Sequence, residues 1–232
     1  MTSATPRAPA LSPTAAANFF HTPRLILRAV EESDAEFIHA VESDPTDHLF
    51  ANGGLQKPRN HVQTLKQRDF LMKEALIGVV ICVKPDANFT ANTKADATNA
   101  PAEPAAPIPI GTLSLEHQHG ALHRSGFVGI SVLRERRGKG YGEEALRWLV
   151  QWGFNAAGLH RIEIAHFSWN MDAGRMYRRL GFEEQGRRKE CFWFWGGWGD
   201  EIILAMTENT WRELEREREK EKGGDSVAIR RS

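Results

Sequence analysis

The stretch from Ser131 to Val150, SVLRERRGKGYGEEALRWLV, constrains the fold more than any other part of this 232-residue chain. An apolar, strand-like run ends there, glycines stand at 138, 140 and 142, and an amphipathic helical pattern starts near residue 140. A helix entered in this way has first-turn N–H groups with no intrahelical partner, a dipole that favours negative charge, and a bare backbone that a ligand can approach. Arg134, Arg136, Arg137 and Lys139 add positive charge to the same turn. The turn is built to hold an anion, most naturally a phosphate.

Two phosphate-binding devices fit it poorly. A Walker loop places Ser or Thr after Gly-Lys, and here Gly140 follows Lys139. Gly140 to Ala145 reads as the G-x-G-x-x-A of a dinucleotide site, with Glu163 at about the distance of a ribose-binding acid. That fingerprint opens a series of strand-helix repeats, however, and only one further crossover follows.

The surrounding order is mixed. Leu25 to Val30 predicts a strand; Phe37, Ile38 and Val41 predict a helix capped by Ser33 or Asp34 and ended near Pro45; residues 59–73 predict a second, weaker helix. Two strands follow, ALIGVVICV and IGTLSLEH, separated by a polar insertion at 84–109 that packs on nothing and costs little closure entropy. Next come strand GFVGISVL, a helix over about 140–157 with Ala145, Leu149, Trp152 and Ala156 on one face, and strand RIEIAHFS. A helix over about 170–180 carries Ala173, Met176, Tyr177 and Leu180, with Gly181 as its C-terminal cap. Two strands close the order, one from Phe182 and one at DEIILAMT; in CFWFWGGW, Trp193 and Trp195 take one face, Phe192 and Phe194 the other, and Gly196-Gly197 turns the hairpin.

Composition narrows the function classes. Formal net charge is zero, so no global field draws in nucleic acid or an anionic membrane. Cys82 and Cys191 are too few for a disulfide framework or a zinc site and read as buried, in a reducing compartment. His117, His119 and His123 read as part of a polar hairpin, with no spacing that suggests a metal. No apolar run approaches the roughly 18 residues of a membrane span. Residues 1–23, without an acidic side chain, read as a disordered tail, a composition shared with mitochondrial transit peptides. The charged residues 212–232 read as a solvated, marginal helix. The expected setting is cytoplasmic.

Arg137-Gly138-Lys139-Gly140-Tyr141-Gly142 matches the (Q/R)-x-x-G-x-(G/A) turn of the GNAT superfamily of acyl-CoA N-acyltransferases, and residues 24–211 resemble its Rim-type branch. The opening TPRLILR, the segment GYGEEALRWLVQWGFNAAGLHRIEI, the helix WNMDAGRMYRRLGFEEQG and the closing GDEIILAMT are similar to that branch. The resemblance implies an α/β (α+β) fold with a mixed, mostly antiparallel sheet splayed at its centre and helices on both faces. It implies direct acetyl transfer from acetyl-CoA to a primary amine, which could be a protein N-terminus, a polyamine or another small amine. No metal is implied, and a homodimer is compatible with it. A catalytically silent acyl-CoA-binding module is the second reading.

Carried onto this sequence, the resemblance gives Ile130, Ser131 and Val132 the pantetheine arm. It gives Arg137, Gly138, Lys139, Gly140, Tyr141, Gly142 and Glu143 the pyrophosphate, Asn170 a further cofactor bond, and Tyr177 the protonation of the departing thiolate. Asn170 also reads as a plain helix cap and Tyr177 as a core tyrosine. Many relatives carry Glu where Phe127 stands, so the base falls to Glu163 first, against a structural salt bridge, and to Glu116 second. The second aromatic face of the hairpin reads as a cleft wall or a dimer contact, and Asp44 and Asp47 opposite it would suit a cationic substrate.

Overall fold

A computed structural model describes residues 19–45, 50, 57–85 and 106–228. Seven strands make one sheet: β1 (Leu25–Ala29), β2 (Ile77–Val83), β3 (Ile108–Gln118), β4 (Ser125–Val132), β5 (Arg161–Phe167), β6 (Glu183–Phe194) and β7 (Gly197–Thr207). Their spatial order is β1-β2-β3-β4-β5-β7-β6. The helices are α1 (Ala35–Ser43), α2 (His61–Asp69), α3 (Tyr141–Asn155), α4 (Met171–Leu180) and α5 (Glu208–Ala228).

Every neighbouring pair is antiparallel except β4 with β5, and that pair sets the function. It joins only Ser125↔Arg161, Gly126↔Ile162 and Phe127↔Glu163. Beyond Phe127, β4 stays paired to β3 as far as Val132↔Gly111, and β5 stays paired to β7 as far as Phe167↔Glu201. The sheet therefore splays at its centre, and the edges of β4 and β5 that face each other past this point carry no strand-to-strand hydrogen bonds.

Alternation along the strands divides the core in two. Leu25, Leu27, Val79, Ile81, Leu113, Leu115, Val128, Ile162, Ile164 and Leu204 pack against Leu146 and Leu149 of α3 and Tyr177 and Leu180 of α4. On the other face, Val80 and Cys82 meet Ile38 of α1 and Leu71, which follows α2. The mixed, mostly antiparallel and centrally splayed sheet with helices on both faces is as expected from the sequence.

Several local expectations are corrected. Ordered chain starts before Arg24: the Phe19 carbonyl accepts from Trp148 Nε1 at 2.8 Å, and Phe20 leans on the same indole. The Asp34 carboxylate does not cap α1; it takes both Arg28 Nη atoms, at 2.6 and 2.7 Å, and the Glu31 N–H. The second helix continues as a π turn over Phe70–Glu74. Strand β3 begins at Ile108, inside the expected insertion, while residues 86–105 and Asp47 lie outside the described residues. The hairpin turns on Trp195-Gly196, both at positive φ, so Trp195 is a turn residue rather than a partner of Trp193 on a strand face. Cys191 is exposed on β6, not buried. Among the described residues, no helix is long and apolar enough to cross a membrane.

Candidate active site

The splay opens a cleft of about 960 Å³ between β4, β5, the turn before α3 and the first turns of α4. Its walls include Ile130, Ser131 and Val132 from β4, Arg137, Gly138, Gly140, Tyr141, Gly142 and Glu143 from the turn, and Asn170 and Tyr177 from α4. Eleven of the thirteen residues assigned to the site from the sequence meet in this one place. Lys139 and Glu163 do not line it.

The turn is shaped by backbone conformation. Gly138 and Gly140 sit at φ of 71° and 79°, a region that residues with a Cβ rarely adopt. The first backbone bond of α3 runs from Glu144 N–H to the Gly140 carbonyl at 3.1 Å, so the N–H groups of Tyr141, Gly142 and Glu143 precede the helical ladder. Glu143 can serve an anion only through its backbone, since its carboxylate is ion-paired with Arg179 at 3.0 Å and Arg147 at 3.4 Å. The Arg137 Nε–H donates to the Val132 carbonyl at 2.8 Å, tying the turn to the end of β4. Burial lowers the Arg137 pKa and the nearby Asp44 carboxylate opposes that shift.

A latch from the N-terminal segment holds the turn from behind. The Arg24 N–H and Nε–H both donate to the Glu144 carboxylate, at 2.8 and 2.6 Å, and Nη1–H donates to the Lys139 carbonyl at 2.8 Å. The guanidinium also lies over the Tyr141 ring, 4.9 Å from its centroid. Thr22 Oγ1 donates to the same carboxylate. Burial disfavours the Glu144 anion, but the bonds from Thr22 and Arg24 outweigh it and hold the carboxyl below its ordinary value. Sequence reading took Arg24 only as the opening of β1. Nothing local to TPRLILR shows that its partner stands 120 residues away.

Asn170 fills the cap and the wall at once. Its Oδ1 accepts from Ala173 N–H at 3.3 Å, and its Nδ2 donates to the Phe50 carbonyl at 3.2 Å. Tyr177 is 5% exposed, and burial raises its phenol pKa above the ordinary value, which keeps the hydroxyl protonated. Beside it lies buried His166, with ring centroids 6.1 Å apart. Nδ1 contacts the Phe167 carbonyl at 2.9 Å and must be the donor, because a carbonyl only accepts. Nε2 is thus left as an acceptor, buried and without a partner among the described residues, and burial lowers the imidazole pKa.

Neither carboxylate expected as base reaches the cleft. Glu163 is committed to Arg161 Nε at 2.6 Å, which is the structural salt bridge weighed against it. Glu116 pairs with Phe127 across β3 and β4, and burial raises its pKa, yet it is not part of the lining. Two lining carboxylates that sequence reading missed are Asp172 at the start of α4 and Glu201 on β7. Glu201 is the less exposed of the two. It sits in an apolar closing strand, where a carboxylate at an alternating position is indistinguishable from a solvated one. Among the described residues, no three side chains are placed to hold a metal ion.

The splayed mixed sheet thus has a glycine turn at one mouth of its central gap. Residues 24–183 match the family model described as Acetyltransferase (GNAT) domain, and the chain belongs to that family. It is 34% identical over 98 residues, 42% of this chain and 54% of the other, to a probable N-acetyltransferase, YjcK, of Bacillus subtilis. Over 92 residues, 40% of this chain and 47% of the other, it is 30% identical to the [ribosomal protein uS5]-alanine N-acetyltransferase of Escherichia coli. The chain spans about half the length of these curated relatives. Its fold is that of a spermidine N-acetyltransferase from Vibrio cholerae, solved with CoA and spermine: TM-score 0.63, 21% identity, 82% of this chain and 99% of that one. A GNAT-family acetyltransferase from Bacillus anthracis superposes equally well, at 20% identity over 82% of this chain and 98% of that one.

Proposed function

We propose that the protein is an acetyl-CoA-dependent N-acetyltransferase that moves an acetyl group directly to a primary amine. The observation that carries this reading is the unpaired edge of β4 from Val128 to Val132 running into the turn at Arg137–Glu143. A pantetheine arm is an extended chain of amides and pairs with a strand edge as another strand would. The pyrophosphate fits at the first N–H groups of α3, with Arg136 and Arg137 beside it. Acetyl-CoA supplies an activated thioester carbonyl. Ile130, Ser131 and Val132 hold that carbonyl in register and present an N–H to its oxygen, Asn170 fixes the opposite wall, and the protonated Tyr177 hydroxyl gives its proton to the departing sulfur.

A protein N-terminus, a polyamine and other small amines all fall within the acceptor class. Uptake of acetyl-CoA is measured by calorimetry, and turnover by release of free thiol across a panel of such amines. Gly140→Val should lose acetyl-CoA binding while keeping its circular dichroism spectrum. A branched side chain at φ of 79° is strained, and its Cβ would lie 3.2 Å from Arg24 Nη2. Full affinity in a folded Gly140→Val protein, or no thiol release with any amine, overturns the reading.

A further inference from the structure

Glu201 has surroundings that the reaction as described does not use. It belongs to the lining of the cleft, on β7, which lies beyond β5 from the glycine turn. Its neighbours on that face are aromatic. Phe167 is its partner across β5 and β7; Trp169 stacks on Phe167 with ring centroids 5.0 Å apart, and Phe192 meets Phe167 edge-on at 4.7 Å. Two residues before Glu201, Gly199 is required by this arrangement, since a Cβ there would lie 1.9 Å from the Trp169 ring. The indole lies over β7 at Gly199, two residues from Glu201.

The carboxylate is incompletely satisfied. Arg188 Nη1 lies 2.9 Å from Oε2, yet Oε2 is buried and receives no hydrogen bond of normal geometry among the described residues. The Glu201 side chain is 16% exposed and that of Arg188 is 67% exposed, so the cation sits outside and the anion faces inward. A carboxylate has about four acceptor positions, so one neighbour leaves room for a second cation. Of the other lining carboxylates, Glu143 is ion-paired with both Arg179 and Arg147, and Asp172, beside Arg175, has its side chain 91% exposed to solvent.

We infer that Glu201, walled by Phe167, Trp169 and Phe192, is the subsite that recognises the acceptor ammonium, and that the acceptor is a primary amine joined by a short arm to an aromatic or large apolar body. This rests on the acetyltransferase reading and narrows its substrate. One anionic point beside aromatic faces suits a single ammonium held by an ion pair and cation–π contact, with its body on the rings. A polyamine needs several anionic points along its length. The same chemistry occurs in a free arylalkylamine and in a peptide whose first residue is aromatic.

The test uses the full chain with saturating acetyl-CoA. Tryptamine, phenethylamine, a tetrapeptide headed by Phe, one headed by Gly, and spermidine are compared by thiol release. An aromatic amine should exceed spermidine in kcat/KM by about tenfold or more, and the better of the tryptamine and Phe-peptide arms names the source. Glu201→Gln should raise KM for that amine about tenfold or more, with kcat and acetyl-CoA affinity little changed. Direct binding of phenethylamine, read by calorimetry, should weaken in parallel. If Glu201 only anchors Arg188, then Arg188→Ala and Glu201→Gln will lower the melting temperature alike and leave KM alone, and that pattern overturns the proposal. Turnover of spermidine above every aromatic amine overturns the substrate class while leaving the acetyltransferase reading intact. Silence with every amine overturns both.

Discussion

Tyr177 carries two demands that a single substitution separates. Its ring is core, packed edge-on to His166 and Phe182 with centroids at 6.1 and 6.4 Å, and the residue also belongs to the lining of the cleft. Burial keeps the phenol protonated throughout the neutral range, which is what a donor to a thiolate requires. Tyr177→Phe keeps the packing and removes the proton, so turnover should fall on the order of 10²-fold while acetyl-CoA affinity and melting temperature change little. Near-normal turnover, with single-turnover kinetics showing chemistry to be rate-limiting, removes Tyr177 from the mechanism. Its helix, capped by Asn170 and ended by Gly181, was legible from the sequence, whereas its assignment to the site came only through the family resemblance. His166 was not legible: in RIEIAHFS an imidazole at a buried alternating position looks the same whether its Nε2 is partnered or free.

At the scale of elements, the pyrophosphate turn belongs as much to the N-terminal segment as to β4 and α3. Arg24 alone supplies three donors and a ring contact to it. Arg24→Ala should therefore weaken acetyl-CoA binding by about tenfold, through loss of about 1.4 kcal/mol of turn order, and lower the melting temperature by a few degrees. The latch also has a pH dependence with a definite sign. Glu144 has a folded pKa below its ordinary 4.5, so it adds stability that is fully present above that value and lost as pH falls through the lower folded value. The unfolding free energy of wild type should fall more steeply below pH 4.5 than that of Glu144→Gln, and parallel curves would show that the latch is not held by charge. Sequence periodicity reaches strands, helices and caps because these are local. It cannot reach a salt bridge between Arg24, just before β1, and α3, or the two-residue turn at Trp195-Gly196, where Gly196-Gly197 was expected.

For the whole molecule, the splay is the consequence of two halves that each satisfy their own hydrogen bonds and share only three residue pairs at the seam. The mixed order of the sheet was legible through the resemblance of residues 24–211 to the GNAT superfamily. The depth of the split could not, because it depends on where β4–β5 pairing stops. A sheet so divided leaves the backbone N–H and C=O groups on the facing edges of Val128–Val132 and Ile164–Phe167 without a strand opposite them. A ligand that fills the gap replaces that missing partner, and it should couple the halves that the seam alone holds. Acetyl-CoA at about a hundredfold excess over its Kd should add about 2.7 kcal/mol to unfolding stability. The same addition should slow amide hydrogen exchange in both facing segments, not only at the glycine turn. Exchange that slows at residues 137–143 while 128–132 and 164–167 are unchanged would mean that the nucleotide end binds but the arm never enters the splay, and the thioester would then have no defined place against Tyr177.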